Sequence, residues 1–263
     1  MPAYPEPRRT GAKLRSADPP VVMVHGFAQT GACLGPLVDH LAADHEVVLP
    51  DAPGHSTASA FAGLDCPAAA DALVAACGPG VYLGYSMGGR LALHAALAHP
   101  DSVAALVLIS ATAGIDDPVA RAARRADDEA RAAHLEQIGV AAFVEEWLAM
   151  DMFAALPGWA RFDEERAHNT VEGLAGSLRH AGTGSMTPLW ARLGELRMPV
   201  LCIAGGDDAA YVTNAERMVA AINGPDGTTA RIEVVPDVGH AAHLESPVAV
   251  ALAVRAFLAG LSG

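Results

Sequence analysis

The chain has 263 residues, 52% of them hydrophobic, with 30 acidic and 17 basic side chains and a formal net charge of -13. That length and apolar content suit one large core, alone or with an insertion. The negative charge repels nucleic-acid phosphates and anionic membrane surfaces, so neither is an expected partner, and no run of about 20 apolar residues is present to cross a bilayer.

The four cysteines, Cys33, Cys66, Cys77 and Cys202, form no Cys-x-x-Cys pair and point to reduced thiols. Arg8 and Arg9 are followed by Lys13, Arg15, Asp18 and two prolines instead of the apolar stretch of an export signal. The expectation is a cytoplasmic protein with a loose tail over residues 1–20.

An unbroken apolar run over Val21 to His25 reads as a strand covered on both faces of a parallel sheet. Leu34, Leu37, Val38 and Leu41 recur at helical spacing, and a second strand follows over Glu46 to Leu49. Val81 to Tyr85 is the next strand, Met87 to Ala98 an Ala/Leu-rich helix, and Val103 to Ile109 another strand. After a break come strands over Pro199 to Ala204 and Arg231 to Val235, with helices around Ala215 to Ile222 and Pro247 to Leu258. Such alternation predicts an α/β fold with a doubly wound, mostly parallel sheet. From about Asp116 to Thr183 the strand signal is replaced by Ala, Arg and Glu in helical periods. The expected organisation is therefore a core over 21–115 and 184–263, with 116–183 an inserted helical cap over the C-terminal sheet edge, where open α/β sheets bind ligands.

Gly84-Tyr85-Ser86-Met87-Gly88 fits the G-x-S-x-G nucleophile elbow and lies between a strand and a helix, the context that motif needs in the α/β-hydrolase fold. Serine is a weak nucleophile or base unless an imidazole takes its proton, and the imidazole needs a carboxylate to fix its tautomer. Asp208, with Asp207 the adjacent alternative, and His240, with His243 its rival, follow at the C-terminal ends of later strands in the chain order Ser, acid, His. His25-Gly26-Phe27 follows the first apolar strand, so the N–H groups of Phe27 and Met87 are the candidate oxyanion hole, and His25 is read as ordering its loop. No His-Glu-x-x-His or other ligand cluster appears among the 11 histidines, and Gly-Tyr-Ser-Met-Gly-Gly-Arg lacks a phosphate-loop ending. No metal or cofactor is expected.

Several segments are more specific than the fold: Val24-His25-Gly26-Phe27, Asp51-Ala52-Pro53-Gly54-His55, Gly84 through Arg90, Ala142-Phe143-Val144-Glu145-Glu146-Trp147, Ser177-Leu178-Arg179 with Gly182-Thr183-Gly184, and Gly239 through Glu245. From about Val21 onward the chain resembles the 2-succinyl-6-hydroxy-2,4-cyclohexadiene-1-carboxylate synthases of menaquinone biosynthesis, α/β-hydrolase-fold lyases that eliminate pyruvate. The resemblance implies a triad of Ser86, Asp208 and His240. It implies substrate-carboxylate grips at Arg90, Arg124 and Arg166, a pocket lined by Tyr85, Trp147 and Phe153, and a small-molecule carboxylate substrate. Arg121, Arg125 and Arg131 are expected on a solvated cap face. The resemblance also implies that Ser86, activated by His240, acts as a base on a ring proton without an acyl-enzyme; a hydrolase would use the same residues for nucleophilic attack on an ester or thioester. Two departures stand out. Gly205-Gly206-Asp207-Asp208-Ala209-Ala210 lacks the Glu and Lys of the family's usual Gly-Glu-x-Asp-x-Lys, and Ser56 stands where Pro-Gly-His-Gly would place glycine.

Overall fold

A computed structural model describes residues 3–11, 19–224 and 229–261. Its strands are β1 (Arg8–Thr10), β2 (Val21–Val24), β3 (Val47–Leu49), β4 (Gly80–Tyr85), β5 (Val103–Ile109), β6 (Val200–Gly205) and β7 (Ala230–Val235). They form one sheet in the order β1-β3-β2-β4-β5-β6-β7, parallel throughout except where β1 runs against β3 with Arg8 opposite Leu49.

β1 corrects the expectation of a loose tail over residues 1–20. Its three residues are exposed, and an edge strand with one partner needs no apolar face, so hydrophobic patterning carried no trace of it. Arg9 adds an ion pair to Glu46 at 2.9 Å. Residues 1–2 and 12–18 of that segment lie outside the described residues.

The helices are α1 (Pro36–Ala42), α2 (Cys66–Cys77), α3 (Met87–Ala98), α4 (Pro118–Leu148), α5 (Asp163–Arg166), α6 (Val171–Ala181), α7 (Ala209–Asn223), α8 (Ala242–Glu245) and α9 (Pro247–Ala259). Their starts follow local chemistry. Asp65, Asp117 and Thr170 each accept a hydrogen bond from a first-turn N–H, and proline occupies the opening turn of α1, α2, α4 and α9.

The strand periodicity of two sends alternate side chains into two cores. Val21, Met23, Leu83, Val107, Ile109, Leu201 and Ile203 pack with Leu37 and Leu41 of α1 and Val250 and Val254 of α9. Val22, Val24, Tyr82, Leu106, Leu108, Val200 and Cys202 pack on the other face with Leu73 of α2, Leu91 of α3 and Met218 of α7. Both faces being covered, the central strands read as continuous apolar runs, and each large aliphatic side chain so buried contributes roughly 1.5–3 kcal/mol. All four cysteines are unpaired and buried.

Between β5 and β6 the chain makes α4, α5 and α6. Phe143, Val144 and Leu148 of α4 and Leu174, Ala175 and Leu178 of α6 join the core that contains Tyr85 and Ala241, which seats this helical segment above the strand ends. α4 breaks at Gly139, whose φ of 79° and ψ of 169° end one helical stretch and start another. Among the described residues no helix is long and apolar enough to cross a membrane.

Candidate active site

Ser86 sits in the turn between β4 and α3 with φ 50° and ψ -107°, a conformation that L-residues rarely adopt. The flanking glycines permit it. A Cβ on Gly84 would lie 2.3 Å from the Gly88 carbonyl oxygen, and one on Gly88 would lie 2.1 Å from that of Val24. The backbone therefore crosses at distances no side chain allows, and the hydroxyl is presented above the sheet at the head of α3.

His240 follows β7 and Asp208 follows β6. The Nδ1 of His240 is 2.7 Å from Asp208 Oδ2 and its Nε2 is 3.1 Å from Ser86 Oγ. A carboxylate only accepts, so the ring donates from Nδ1 and leaves Nε2 to take the serine proton. Asp208 Oδ1 also accepts from the Tyr211 N–H at 3.4 Å. Asp207 is exposed and outside this chain of hydrogen bonds. His243 is buried against Tyr85, ring centroids 4.2 Å apart, with neither nitrogen hydrogen-bonded, and burial pushes its pKa down to about 3. Of the candidate pairs, the structure brings Asp208 and His240 to Ser86.

The loop after β2 is ordered by two histidines. Ala52 N–H donates to His25 Nε2 at 2.9 Å, so His25 Nδ1 donates to the Gly26 carbonyl at 2.8 Å. Ala28 N–H likewise donates to His55 Nε2 at 3.2 Å, and His55 Nδ1 donates to the Pro53 carbonyl at 3.1 Å. Burial lowers both pKa values, that of His55 to about 3. With every ring nitrogen engaged, His25 holds the loop in place. Gly26 N–H is taken by Gln29 Oε1 at 2.9 Å and Ala28 N–H by His55, while the Phe27 N–H between them carries no hydrogen bond among the described residues. Met87 opens α3, where a helix's own ladder leaves the N–H unpaired. Phe27 and Met87 both border the same cavity as Ser86.

That cavity, about 110 Å³, is lined by Ser86, Phe27, Met87, Arg90, Arg124, Arg131, Trp147, Met150, Met152, Ser177, Thr183 and Tyr211, among others. Arg90 is buried and donates from Nη2 to the Ala181 carbonyl at 2.9 Å, while its Nε has no partner. Arg124 is held by Asp128, whose buried carboxylate accepts from Arg124 Nε at 2.8 Å and from the Gly184 N–H at 3.1 Å. Arg131 lies over the Trp147 ring, 5.6 Å from its centroid, with no ion pair among the described residues.

Two expected lining residues and one expected grip are elsewhere. Tyr85 and Phe153 are buried and pack on the His240 ring, centroids 5.5 and 6.1 Å away. Arg166 is only 2% exposed and donates to the carbonyls of Arg161 at 2.6 Å and Ala28 at 2.8 Å. Its guanidinium is occupied by backbone and does not border the cavity, which corrects its expected role as a carboxylate grip. Arg131 is corrected in the opposite direction, from solvated face to cavity wall. The 124, 128, 131 spacing, one helical face, was the available signal. Ser177 and Thr183 lay in segments that carried the resemblance, but nothing in their residue types marked them as lining.

A family described as Alpha/beta hydrolase family matches residues 21–254. The chain is 35% identical over 184 residues to a Bacillus subtilis protein named putative 2-succinyl-6-hydroxy-2,4-cyclohexadiene-1-carboxylate synthase, covering 68% of this chain and 65% of that one. It spans only 15% of the longer Arabidopsis thaliana protein PHYLLO, chloroplastic, at 30% identity over 90% of its own length. It is also 32% identical to a pimeloyl-[acyl-carrier protein] methyl ester esterase from Stenotrophomonas maltophilia, covering 93% of this chain and 94% of that protein. Among solved structures, MenH from S. aureus superposes with a TM-score of 0.84 at 26% identity, covering 98% of this chain and 99% of that one.

Proposed function

The chain belongs to the alpha/beta hydrolase family, and from that premise we propose that it is a pyruvate-eliminating lyase of the 2-succinyl-6-hydroxy-2,4-cyclohexadiene-1-carboxylate synthase type, acting on a carboxylate-rich ring substrate in menaquinone biosynthesis. The observation that carries the reading is the placement of Arg90, Arg124 and Arg131 around the cavity that contains Ser86. In a protein of net charge -13, three guanidinium groups converging on one small cavity suit a polyanionic substrate, since planar cationic forks recognise carboxylates at both oxygens.

In this reading residues 116–183 are a cap that supplies Arg124, Arg131 and Trp147, and the core supplies the reacting groups. Ser86 Oγ takes the ring proton as its own passes to His240 Nε2, and Asp208 holds the imidazole tautomer and balances the imidazolium. The C–H electron pair becomes a ring double bond, the C–O bond to the enol oxygen breaks, and pyruvate leaves as its enolate and is protonated. The N–H groups of Phe27 and Met87 stabilise the developing oxyanion. No redox change and no cofactor enter.

A second reading is a carboxylic ester or thioester hydrolase working through a Ser86 acyl-enzyme. It is favoured by the Stenotrophomonas esterase relative, which matches along nearly its whole length, and by a triad that suits nucleophilic attack equally well. The discriminating experiment is pyruvate release from the enzymatically generated pathway intermediate, wild type against Ser86→Ala, corrected for spontaneous breakdown. Ser86-dependent release supports the lyase. Background release from protein that labels with a serine-reactive phosphonate and cleaves esters moves the hydrolase to first place.

A further inference from the structure

The histidine of the proposed triad stands on a loop that has no sheet or long helix of its own to hold it. The His240 side chain is held by Asp208 and Ser86 and by packing against Tyr85, Phe153 and Tyr211, the last with its ring centroid 4.5 Å away. Its backbone is held differently. Glu245, at the end of α8, turns back so that Oε2 accepts from the Gly239 N–H at 2.5 Å and Oε1 from the Ala241 N–H at 3.0 Å. One carboxylate thus grips the N–H groups of the two residues that flank His240. The turn is closed from the other side by the Ala241 carbonyl, which accepts from the N–H groups of Leu244 at 2.7 Å and Glu245 at 3.0 Å.

The arrangement depends on the side-chain type. A carboxylate has two oxygens, each able to accept, so it serves both N–H groups at once; an amide of the same shape offers one acceptor and turns a second donor toward the other N–H. Without either acceptor, the Gly239 and Ala241 N–H groups lose their partners and the backbone around His240 is free to turn.

We propose that Glu245 is a positioning residue: by clamping the N–H groups of Gly239 and Ala241, the residues on both sides of His240, it fixes the imidazole between Ser86 and Asp208. The inference rests on the triad reading but not on the choice of substrate, because any use of Ser86 needs His240 in the same place.

The experiment is the kinetics of fluorophosphonate labelling in the full-length protein, comparing wild type, Glu245→Gln and Glu245→Ala below their unfolding temperatures. In this reaction the Ser86 Oγ–P bond forms, fluoride leaves and the serine proton passes to His240. The fraction of chains finally labelled is counted by mass. Expected is a fall in the maximal labelling rate of roughly ten- to a hundredfold in Glu245→Ala, the scale of displacing a catalytic group by about an ångström. Glu245→Gln should fall between, with the half-saturating probe concentration and the final labelled fraction unchanged in both. A wild-type maximal rate in Glu245→Ala overturns the proposal. So does a slower rate matched by an equal loss of labelled chains, which would make Glu245 a folding residue only. Wild-type protein that never labels refutes the triad reading, and this inference with it.

Discussion

The guanidinium of Arg166 donates to the carbonyl oxygen of Ala28 across 2.8 Å, tying α5 of the inserted helices to the loop that carries Phe27. The two residues are 138 positions apart, and burial lowers the Arg166 pKa without removing its charge from the contact. Replacing Arg166 with alanine leaves the buried Ala28 carbonyl and the part-buried Arg161 carbonyl short of a donor. The expected cost is about 3 kcal/mol, a fall in Tm of roughly 6–12 °C. Thermal unfolding measures the loss, and phosphonate labelling should slow with it as the Phe27 loop loosens. An Arg166→Ala variant with wild-type Tm would mean the loop stands without the tether.

Ser86 and Ser56 both have positive φ, 50° and 40°, but only Ser86 belongs to the proposed chemistry. Glycine relieves strain of this kind at either place, by about 1 kcal/mol net of its entropy cost. Ser86→Gly should therefore raise Tm and abolish labelling, while Ser56→Gly raises Tm and keeps labelling. The Ser56 N–H is held by Asn169 Oδ1 at 3.1 Å in either case. Gly88→Ala should do the reverse. Its Cβ would meet the Val24 carbonyl oxygen at 2.1 Å, and a destabilisation on the order of 4 kcal/mol or more is expected, read out as loss of folded protein.

Arg131 has a wall position and no acidic partner among the described residues, so its charge is available to an anion. Arg131→Ala should raise KM for a carboxylate-rich substrate about tenfold or more, the worth of one charge-assisted hydrogen bond of ~1.5–3 kcal/mol, and spare a neutral aryl ester. Equal losses on both substrates would make Arg131 a prop for Trp147. Arg124→Ala tests the same division with a complication, since it also frees the buried Asp128 carboxylate and is expected to lower Tm.

Acid sensitivity follows from the buried histidines. In the unfolded chain His55 and His243 take up protons near their ordinary 6.5, whereas burial in the fold holds both neutral down to about 3. Between those values the unfolded state binds more protons. Their contribution is thus fully present above pH 6.5 and is lost as pH falls through that window, at up to ~1.4 kcal/mol per pH unit for each. Denaturant unfolding at pH 7 and pH 5 should show lower stability at pH 5, with a shallower fall in His243→Leu. Identical stability at the two values would contradict the assignment of neutral buried rings.

The central strands were legible because covering both faces of a sheet demands apolar residues at every position, and the elbow because Gly84 and Gly88 answer a steric demand that sequence displays directly. What escaped did so for local reasons. β1 is exposed and polar. α2, alanine-rich from Pro67 onward, has too little contrast between its faces to show a stripe. Asp208 was the acid expected, with Asp207 the alternative, but the geometry that separates them, the side of the β6 terminus each side chain leaves, is set by the start of α7. Arg131 shares a helical face with Arg124, a spacing that pointed to the cavity once Arg124 was placed there, whereas the burial of Arg166 on the Ala28 carbonyl depends on how α5 meets the loop after β2, which no spacing within one helix encodes.

The proposed reacting groups, Ser86, Asp208 and His240, follow β4, β6 and β7, while Arg124, Arg131 and Trp147 come from a stretch of chain that leaves the sheet once and returns once. On the proposed reading, recognition is thereby largely separable from chemistry in heredity, with Arg90 of α3 the one of the three grips that stays with the core. On that reading a lineage that rewrites the insert between its two junctions keeps Ser86, Asp208 and His240 on the core, so long as it keeps the props the insert lends them, Phe153 on the His240 ring and Arg166 on the Ala28 carbonyl.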